Sequence, residues 1–308
     1  MSAVQRIQAA IDQASAGLVG RRPVIELLAL AAVARQHVLV LGPPGTAKSE
    51  LVRRFALAVS AQRFEYLLGR FTEPSELFGP VDLIELREGR LTTRTEGMLP
   101  EAELAFLDEV FLGSTAILNT LLGLLAERTF RRGHDVQQVP LRLCVGASNE
   151  RPTSPELAAF ADRFALTAHV EPVENARLEE LLESAAELPR VDPVASIADI
   201  DSLAAEARRV DVAPVRAAYA DAIRTLREQG VRLSDRRVVQ GQRTIAAAAA
   251  LDGRTEATSA DLWPLVFLVP DAEGQHNARE VLKDALASTD SATLGAAVSL
   301  AINAAQVP

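Results

Sequence analysis

The stretch that decides the fold is HVLVLGPPGTAKSELVRRFALAVSA, residues 37–61. It begins with a short apolar run, HVLVL (37–41), which is typical of a buried strand. A glycine-rich turn, GPPGTAKS (42–49), follows directly, and the residues after Lys48 have helical apolar spacing. The order is therefore strand, loop, helix. A loop in that position aims several backbone N–H groups at one point, and the helix dipole adds positive potential, so the stretch predicts a phosphate site.

The loop departs by one letter from the phosphate-binding pattern G-x-x-x-x-G-K-[ST], because Ala47 stands where the pattern has glycine. In that pattern the glycines allow the turn, the lysine reaches the β- and γ-phosphates, and the Ser49 hydroxyl ligates Mg²⁺. The alternative is a chance run of turn residues that ends in Lys-Ser. The candidate nucleotide-binding residues are Gly42, Pro43, Pro44, Gly45, Thr46, Ala47, Lys48 and Ser49.

A second motif is the acidic end of the apolar stretch LAFLDEV, residues 104–110. A carboxylate at the end of a buried strand beside the phosphate loop can hold the Mg²⁺ water shell, which is the role we assign to Asp108. Glu109 could polarise a water for attack on the γ-phosphate. The alternative is an acidic pair that faces solvent, but the apolar residues before it favour a strand end. Together the two motifs predict ATP and Mg²⁺ as cofactors.

Further apolar segments extend the pattern along the chain. RFEYLL (63–68), LRLCVGAS (141–148) and RFALTAHV (163–170) are predicted strands, and STAILNTLLGLLAE (114–127) is a predicted helix with a serine cap. Apolar strands that alternate with helices indicate a parallel sheet covered on both faces. Segments that alternate around an REG turn predict a hairpin over residues 80–96.

The domain organisation follows from length and composition. A chain of 308 residues is about right for two domains. The composition changes near residue 186, where ELPRVDPVASIAD carries two prolines and reads as a linker, 188–198. Beyond it the substantial segments are helical in pattern. We therefore expect an α/β domain over 1–187 and an all-helical domain over 199–308.

Charge and hydropathy limit the function classes. The net charge of −9 argues against a protein whose main task is to hold duplex DNA, because phosphate contacts need a basic face. A local patch of Arg87, Arg90 and Arg94 nevertheless keeps a nucleic-acid motor as an alternative. The single cysteine, Cys144, excludes an internal disulfide. No signal-peptide pattern and no apolar run near the roughly 20 residues of a membrane span are found, so we expect a cytoplasmic protein.

Four other polar residues are candidates for the chemistry. Asn149 ends the strand in VGASNE, where an amide could orient the attacking water, although asparagine is also a common turn former. Phosphoryl transfer gains from a cation aimed at the transferring group, often delivered by a neighbouring chain. The candidates are Arg163 in FADRF and the pair Arg236 and Arg237 in LSDRRVVQ, where Ser234 is a predicted cap. The alternative for each arginine is a solvated or ion-paired surface residue.

These motifs occur together in a known family. The segments GPPGTAKS, FTEPSELFGP, GMLPEAELAFLDEV, ILNTLLGLLAERTF, VGASNE and ADRF resemble the MoxR family of AAA+ ATPases, most closely its RavA-type branch, from about residue 5 to 245. The resemblance implies a P-loop αβα core with a parallel five-stranded sheet, followed by an all-helical lid. The RavA type carries a long extra C-terminal domain, which we do not expect in this sequence of 308 residues.

The resemblance also assigns roles to residues. It places Walker A at 42–49, Walker B at Asp108 and Glu109, and sensor 1 at Asn149. Arg163 matches the arginine finger, which reaches into the site of the next subunit. SDRR matches the sensor 2 region, for which Arg236 is the first choice as a catalytic residue and Arg237, a candidate nucleotide contact, is the alternative.

The family further implies an assembly and a biological role. AAA+ modules typically form hexameric rings with ATP bound between subunits, and segment 80–96 matches a helix-2 insert that can face the pore. MoxR-like proteins act as chaperone-like ATPases, often beside a partner with a von Willebrand factor A domain, in metal or cofactor insertion and complex assembly.

Ala47 is expected in the first helical turn with an ordinary negative φ, where glycine is not required. A nucleotide-gated scaffold without turnover stays an alternative, against which Glu109 and Arg163 argue.

Overall fold

A parallel sheet forms the centre of the chain. The computed structural model describes residues 1–89, 92–132, 135–186 and 188–303. Five of its seven strands form one parallel sheet in the order β2-β3-β6-β1-β7. The strands are β1 Val38–Leu41, β2 Arg63–Leu67, β3 Leu104–Asp108, β4 Thr129–Arg132, β5 Asp135–Gln138, β6 Leu143–Ser148 and β7 Leu166–His169.

Helices cover both faces of this sheet, as the apolar strands predicted. Val38 and Val40 of β1 belong to one hydrophobic cluster, whereas Leu39 and Leu41 belong to a second cluster on the other face. Such alternation follows from the two-residue period of a strand. The eight helices of the first part of the chain are α1 Ala3–Ser15, α2 Arg22–Ala34, α3 Lys48–Ala58, α4 Pro74–Phe78, α5 Leu83–Arg87, α6 Thr115–Glu127, α7 Pro155–Ala161 and α8 Leu178–Ala186. Ser114 caps α6 as predicted.

The part of the chain after α8 is helical, and the predicted fold class is confirmed. Its helices are α9 Ile197–Ala207, α10 Arg216–Glu228, α11 Asp235–Leu251, α12 Leu265–Leu268, α13 Ala272–Val281, α14 Lys283–Leu286 and α15 Gly295–Ile302. Helices α9, α11 and α15 pack against α2, and one hydrophobic cluster runs through both parts of the chain. The division into domains 1–187 and 199–308 around a linker at 188–198 therefore stays a prediction, because the core does not stop there.

The predicted hairpin at 80–96 is corrected by the structure. Its ends approach through a single antiparallel bridge between Val81 and Thr93. Residues Leu83–Arg87, however, form the short helix α5 rather than a strand. The reason is Asp82, whose carboxylate accepts backbone N–H groups at the start of α5, as a helix N-cap does.

Two further observations complete the fold. Strands β4 and β5 form a separate antiparallel hairpin that the sequence analysis missed. It is anchored by Phe130, which is buried and stacks on Phe78 with ring centroids 5.5 Å apart. Among the described residues, no helix has the length and apolar character needed to cross a bilayer.

Candidate nucleotide-binding site

The register of the sheet brings the predicted site segments to one edge. β1 pairs with β6 so that Leu41 lies opposite Ser148, and the Gly42 N–H donates to the Ser148 carbonyl at 3.2 Å. β6 pairs in turn with β3, whose last residue is Asp108. The glycine loop, the acidic pair and Asn149 therefore meet at the carboxyl edge of the sheet, where open α/β folds bind ligands.

The two loop glycines are required for different reasons. A Cβ on Gly42 would lie 2.1 Å from the Val170 carbonyl oxygen, so this glycine permits a close approach to the chain after β7. Gly45 has a φ of +80°, and no heavy atom lies within 4 Å of the position a Cβ would take. The Thr46 hydroxyl donates to the Pro43 carbonyl at 2.9 Å and closes the turn. The loop is thus braced at its ends and open above Gly45.

The backbone at Ala47 differs from our expectation. Ala47 lies at the N-cap of α3 with φ 66° and ψ 25°, in the left-handed region, and not in a helical turn with negative φ. A Cβ is unfavourable there because it crowds the neighbouring carbonyl, which explains why the pattern has glycine at this position. The alanine therefore holds a strained conformation in this loop.

Lys48 lies under the loop and bonds to it. Its ammonium donates to the Gly42 carbonyl at 2.6 Å and to the Pro43 carbonyl at 3.0 Å, and its side chain is buried. Pro44 and Ser49 are exposed on either side of it. The amine is therefore held at the loop, and the Ser49 hydroxyl lies next to it in the first turn of α3.

The start of α3 fits an anionic group such as the phosphates of ATP. The first N–H groups of a helix have no intrahelical partner. No side chain caps those of α3. The positive end of the helix dipole, the Lys48 ammonium and the open space above Gly45 all belong to the same loop. The residues present fit a nucleotide phosphate chain.

The acidic pair and Asn149 are joined by a hydrogen bond. The Asn149 amide donates to Glu109 Oε1 at 2.9 Å. Glu109 has a φ of 48°, and its backbone N–H donates to Asp108 Oδ1 at 3.0 Å. The Asn149 bond orients the Glu109 carboxylate, and the strained backbone turns it away from the line of β3. These three predicted residues form one constellation.

The donor set also fits Mg²⁺. Within the described ranges no group of three His, Cys, Asp or Glu side chains converges on a common point. Mg²⁺ bound with a nucleotide usually keeps several waters and takes only one or two protein ligands beside the phosphates. The Ser49 hydroxyl and the Asp108 carboxylate, at the same edge of the sheet, are groups of the kind that such a site uses.

The same edge carries a cleft that the sequence analysis missed. Arg21 donates to the Glu171 carbonyl at 2.7 Å, which ties the turn before α2 to the chain after β7. Beside it lies a cleft of about 660 Å³. The sequence signal for this cleft was the pair Gly17 and Gly20. In the structure both glycines have positive φ and lie between α1 and α2. Its lining includes Gly17, Leu18, Val19, Gly20, Glu174, Arg177, Glu180, Ser184 and Leu300.

Arg163 lies at the opposite edge of the sheet, before β7, in what we call the arginine cleft. This cleft has a volume of about 880 Å³ and is lined by Arg35, Gln36, His37, Leu125, Ala126, Arg128, Val139, Leu141, Arg142, Arg163, Asp235, Arg236, Val239, Gln240 and Arg243. Burial, and then the charge of Arg236, lower the pKa of Arg163. His37 precedes β1 and Gly42 follows it, so the two edges are about 16 Å apart at roughly 3.3 Å per residue.

The two arginines of SDRR have different environments. Ser234 caps α11 as predicted. Arg237 is buried, and its guanidinium donates to Asp162 and to the carbonyls of Ala165, Leu268 and Phe164. Arg236 is exposed, approaches Asp162 at 3.5 Å and lines the arginine cleft. The structure thus brings Arg236 together with Arg163, whereas the donors of Arg237 are used inside the fold.

Comparisons with known proteins agree with this geometry. Two uncharacterised proteins of Methanocaldococcus jannaschii are 36% and 37% identical to this chain over 244 and 243 residues, each covering 79% of it. The chain spans 65% and 64% of their lengths. A solved structure of a candidate ATPase from Cytophaga hutchinsonii superposes with a TM-score of 0.71, covering 94% of this chain and 96% of its own, at 18% identity. That likeness shows the fold.

A family model supplies the assignment. The model that describes the MoxR domain of MoxR-vWA-beta-propeller ternary systems matches residues 5–205. This range contains the glycine loop, the Glu109–Asn149 constellation and Arg163. With the AAA+ fold and these relatives, the match shows that the chain belongs to the MoxR family of AAA+ ATPases.

Proposed function

We propose that this MoxR-type AAA+ ATPase hydrolyses ATP with Mg²⁺ between the subunits of a ring and uses the cycle to remodel a partner protein. The observation that carries the hydrolysis is the Glu109 carboxylate, which Asn149 holds at 2.9 Å beside the glycine loop. A positioned carboxylate next to a phosphate site is what general-base activation of water requires.

Each residue of the site has a role in this reaction. Lys48 and the N-terminus of α3 bind the phosphates, and the open cleft beside Gly20 accepts the base and ribose. Glu109 takes the proton of the attacking water, and Asn149 orients both the water and the carboxylate. When bound through Ser49 and Asp108, Mg²⁺ supplies charge neutralisation of the phosphate oxygens.

Replacement of Lys48 tests the binding site. Lys48→Ala removes the cation at the loop, so we expect the Kd of a fluorescent ATP analogue to rise by about tenfold to a hundredfold. The matched control is Arg53→Ala on the same helix, an exposed cation paired with Glu50, which should leave the affinity unchanged. Equal affinity in wild type and Lys48→Ala would contradict the site.

Replacement of Glu109 tests the chemistry. Glu109→Gln keeps the hydrogen bond from Asn149 possible but cannot accept a proton, so we expect kcat to fall roughly 100-fold or more with ATP affinity retained. Glu156→Gln, at the exposed start of α7, is the control. Turnover at the wild-type rate in Glu109→Gln would remove Glu109 from this role. A wild-type protein that binds ATP without turnover would instead favour the scaffold alternative.

The position of Arg163 supports the proposed ring. It lies at the amino edge, about 16 Å of strand away from its own glycine loop, so it cannot reach phosphates bound in the same chain. Arg163 is therefore the finger that completes the site of a neighbouring copy, as in a head-to-tail ring of AAA+ modules, which we take to be a hexamer. Arg236 lies beside it and adds a second cation at the same interface, whereas Arg237 is buried and stays a nucleotide contact only by family analogy.

Remodelling of a client is supported by exposed apolar side chains near the site. Phe71, in the loop after β2, is 96% exposed, and Leu83 and Ile84 of α5 are 66% and 61% exposed. Adjacent exposed apolar side chains, such as Leu83 and Ile84 on α5, mark protein contacts. We infer that they contact the client protein, whose maturation, metal or cofactor insertion or assembly is the outcome.

The partner is inferred from the matched family. Its description names MoxR-vWA-beta-propeller systems, so we infer a partner with a von Willebrand factor A domain. Assignment to the RavA-type branch rests on the Ala-Lys-Ser end of the glycine loop. A cytoplasmic location follows from the need for ATP and for such partners.

A nucleotide-locked variant tests client binding. Glu109→Gln with ATP should hold the client, and adding Phe71→Ala should release it while ATP binding stays the same. Leu57→Ala, which removes an exposed leucine from α3, is the control. Equal recovery of the same client by both double variants would remove Phe71 from the contact.

The nucleic-acid motor stays a second candidate with less support. Arg94 pairs with Asp82 at 2.8 Å, so its charge is compensated. Arg87 ends α5, and Arg90 lies outside the described residues. ATPase stimulation by DNA at salt near physiological would favour this candidate over a protein client.

A further inference from the structure

Helix α8 presents its apolar side to solvent. The exposed fractions of its leucines are 42% at Leu178, 36% at Leu181 and 73% at Leu182. Their spacing of three and four residues puts them on one helix face. Glu180 and Ser184, on the opposite face, line the cleft of the carboxyl edge. A surface helix normally buries its apolar stripe. The exposed leucines of α8 therefore indicate that another surface packs on them.

The leucine face is flanked by unpaired acids. Glu179 and Glu183 lie one turn apart on α8, and both are exposed. Neither makes an ion pair with another residue of the described ranges, whereas Glu180 is held by Arg177 at 2.8 Å. The face therefore combines an apolar stripe with negative charge along one side.

The arginine cleft has the complementary character. Leu125 and Leu141 are buried at its floor, and Val239 is 59% exposed. Arg243 is exposed at its border and makes no ion pair within the part of the chain that the structure describes. The Nε of Arg163 is buried and has no hydrogen-bond acceptor among the described atoms. A leucine stripe fits the apolar floor, and the acidic flank of such a helix fits Arg243 at the border, which leaves Arg163 and Arg236 for the site of the neighbouring copy.

We propose that α8 of one copy docks into the arginine cleft of a second copy of this chain. An amphipathic helix in a groove is a common recognition mode, and opposite potentials on the two surfaces favour it. Helix α8 cannot dock into the arginine cleft of its own chain, because α8 borders the carboxyl edge and the arginine cleft lies at the amino edge. The contact is therefore head-to-tail between copies.

This docking deepens the proposed function, on which it rests, by naming the surfaces that join the ring. A head-to-tail contact uses two different surfaces and closes into a ring when its rotation allows. It also brings Arg163 and Arg236 of one copy toward the carboxyl edge of the next, where Lys48 and Glu109 lie. The interface would thus assemble the site as it forms.

A charge swap tests the docking. Glu183→Arg and Arg243→Glu should each weaken self-association by about tenfold in sedimentation velocity with an ATP analogue, because each places like charges together. The double variant, in which both charges are exchanged, should recover most of the association. Glu156→Arg, an exposed position on α7, is the matched control. Undisturbed association in both single variants, or no recovery in the double variant, would overturn the proposal.

Cross-linking gives an independent readout. Copies with Leu182→Cys mixed with copies with Val239→Cys should form a disulfide-linked pair on oxidation, whereas Leu57→Cys mixed with Val239→Cys should not. Equal disulfide yields from both mixtures would overturn the pairing. Protection of the thiol introduced by Leu182→Cys by a different protein, and not by a second copy, would overturn it as well. Binding of a fluorescent ATP analogue is measured on every variant. Retained binding of the analogue without cross-linking refutes the docking alone. Cross-linking together with a wild-type protein that does not bind the analogue refutes the nucleotide site alone.

Discussion

Two residues of the site hold a left-handed backbone, and both lie at the carboxyl edge. Ala47 and Glu109 have φ values of 66° and 48°. Such conformations cost non-glycine residues on the order of 1–2 kcal/mol and persist where the surrounding fold imposes them. At Glu109 the strain aims the carboxylate that Asn149 holds. At Ala47 the left-handed backbone starts α3 directly under the loop. The residue by which GPPGTAKS departs from the phosphate-binding pattern is therefore a strained position.

Replacement of Ala47 tests the strain. We expect Ala47→Gly to raise the free energy of unfolding by up to about 1 kcal/mol, because relief of the left-handed strain outweighs the added entropy of the unfolded chain. The control is Ala56→Gly in the interior of α3, where φ is helical and a buried methyl group is lost, so the change should cost about 1 kcal/mol or more. Denaturant unfolding measures both. Equal destabilisation by the two variants would show that position 47 is not strained.

Cys144 gives a second prediction at this scale. Burial raises the pKa of its thiol to about 12, from a model-compound value of 9.0. The folded protein therefore keeps the proton that the unfolded chain loses. The resulting stability is complete below pH 9 and is lost as the pH rises through 12. Cys144→Ala should lack this extra loss between pH 9 and 11 in denaturant unfolding, and parallel curves would contradict it.

At the scale of elements, the start of α11 connects the lid helices to the sheet. Ser234 donates to Asp162, and Arg237 inserts among the carbonyls that precede β7. Arg163 follows Asp162 directly, so the same anchor sets the position of Arg163, the proposed finger. Arg237 is therefore a structural link, and Arg236, one residue earlier, is the cation that faces the arginine cleft.

The two arginines should separate stability from turnover. Arg237→Ala leaves several buried carbonyls without a donor, so we expect a loss of about 3 kcal/mol or more in the free energy of unfolding. Arg236→Ala should change stability by less than about 0.5 kcal/mol but lower ATP turnover of the assembled protein. Denaturant unfolding and steady-state ATPase assays measure the two effects. The reverse assignment of effects would make Arg237 the functional cation.

Periodicity and spacing predicted the strands and the order of motifs, because buried strands and a glycine loop leave local patterns. The five-stranded sheet and the edge that unites Lys48, Asp108 and Asn149 follow from that order alone. The helix at 83–87 was misread because LIEL suits either period and only the Asp82 cap decides it. The φ of Ala47 could not be read, since it depends on how the whole loop closes between β1 and α3. The arginine cleft joins residues far apart in sequence.

At the scale of the whole molecule, the two edges of the sheet have opposite tasks. The carboxyl edge carries the glycine loop, the Glu109–Asn149 pair and the acidic helix α8. The amino edge carries six arginines in one cleft. In the proposed function, a single copy therefore holds both halves of the catalytic site but cannot join them. The proposed function therefore requires assembly, and not a movement within one chain, to complete the site.

This separation predicts complementation between two inactive proteins. Arg163→Ala retains the Glu109 carboxylate, and Glu109→Gln retains the finger, so each should bind ATP and hydrolyse it poorly. Rings that contain both, co-expressed with different affinity tags and purified through both, should have about a quarter of wild-type activity, because one interface in four pairs an intact Glu109 with an intact Arg163. Steady-state ATPase assays measure this. An activity no higher than the mean of the two parents would show that Arg163 does not act across the interface, and it would leave Glu109 as the base of a site that each copy completes alone.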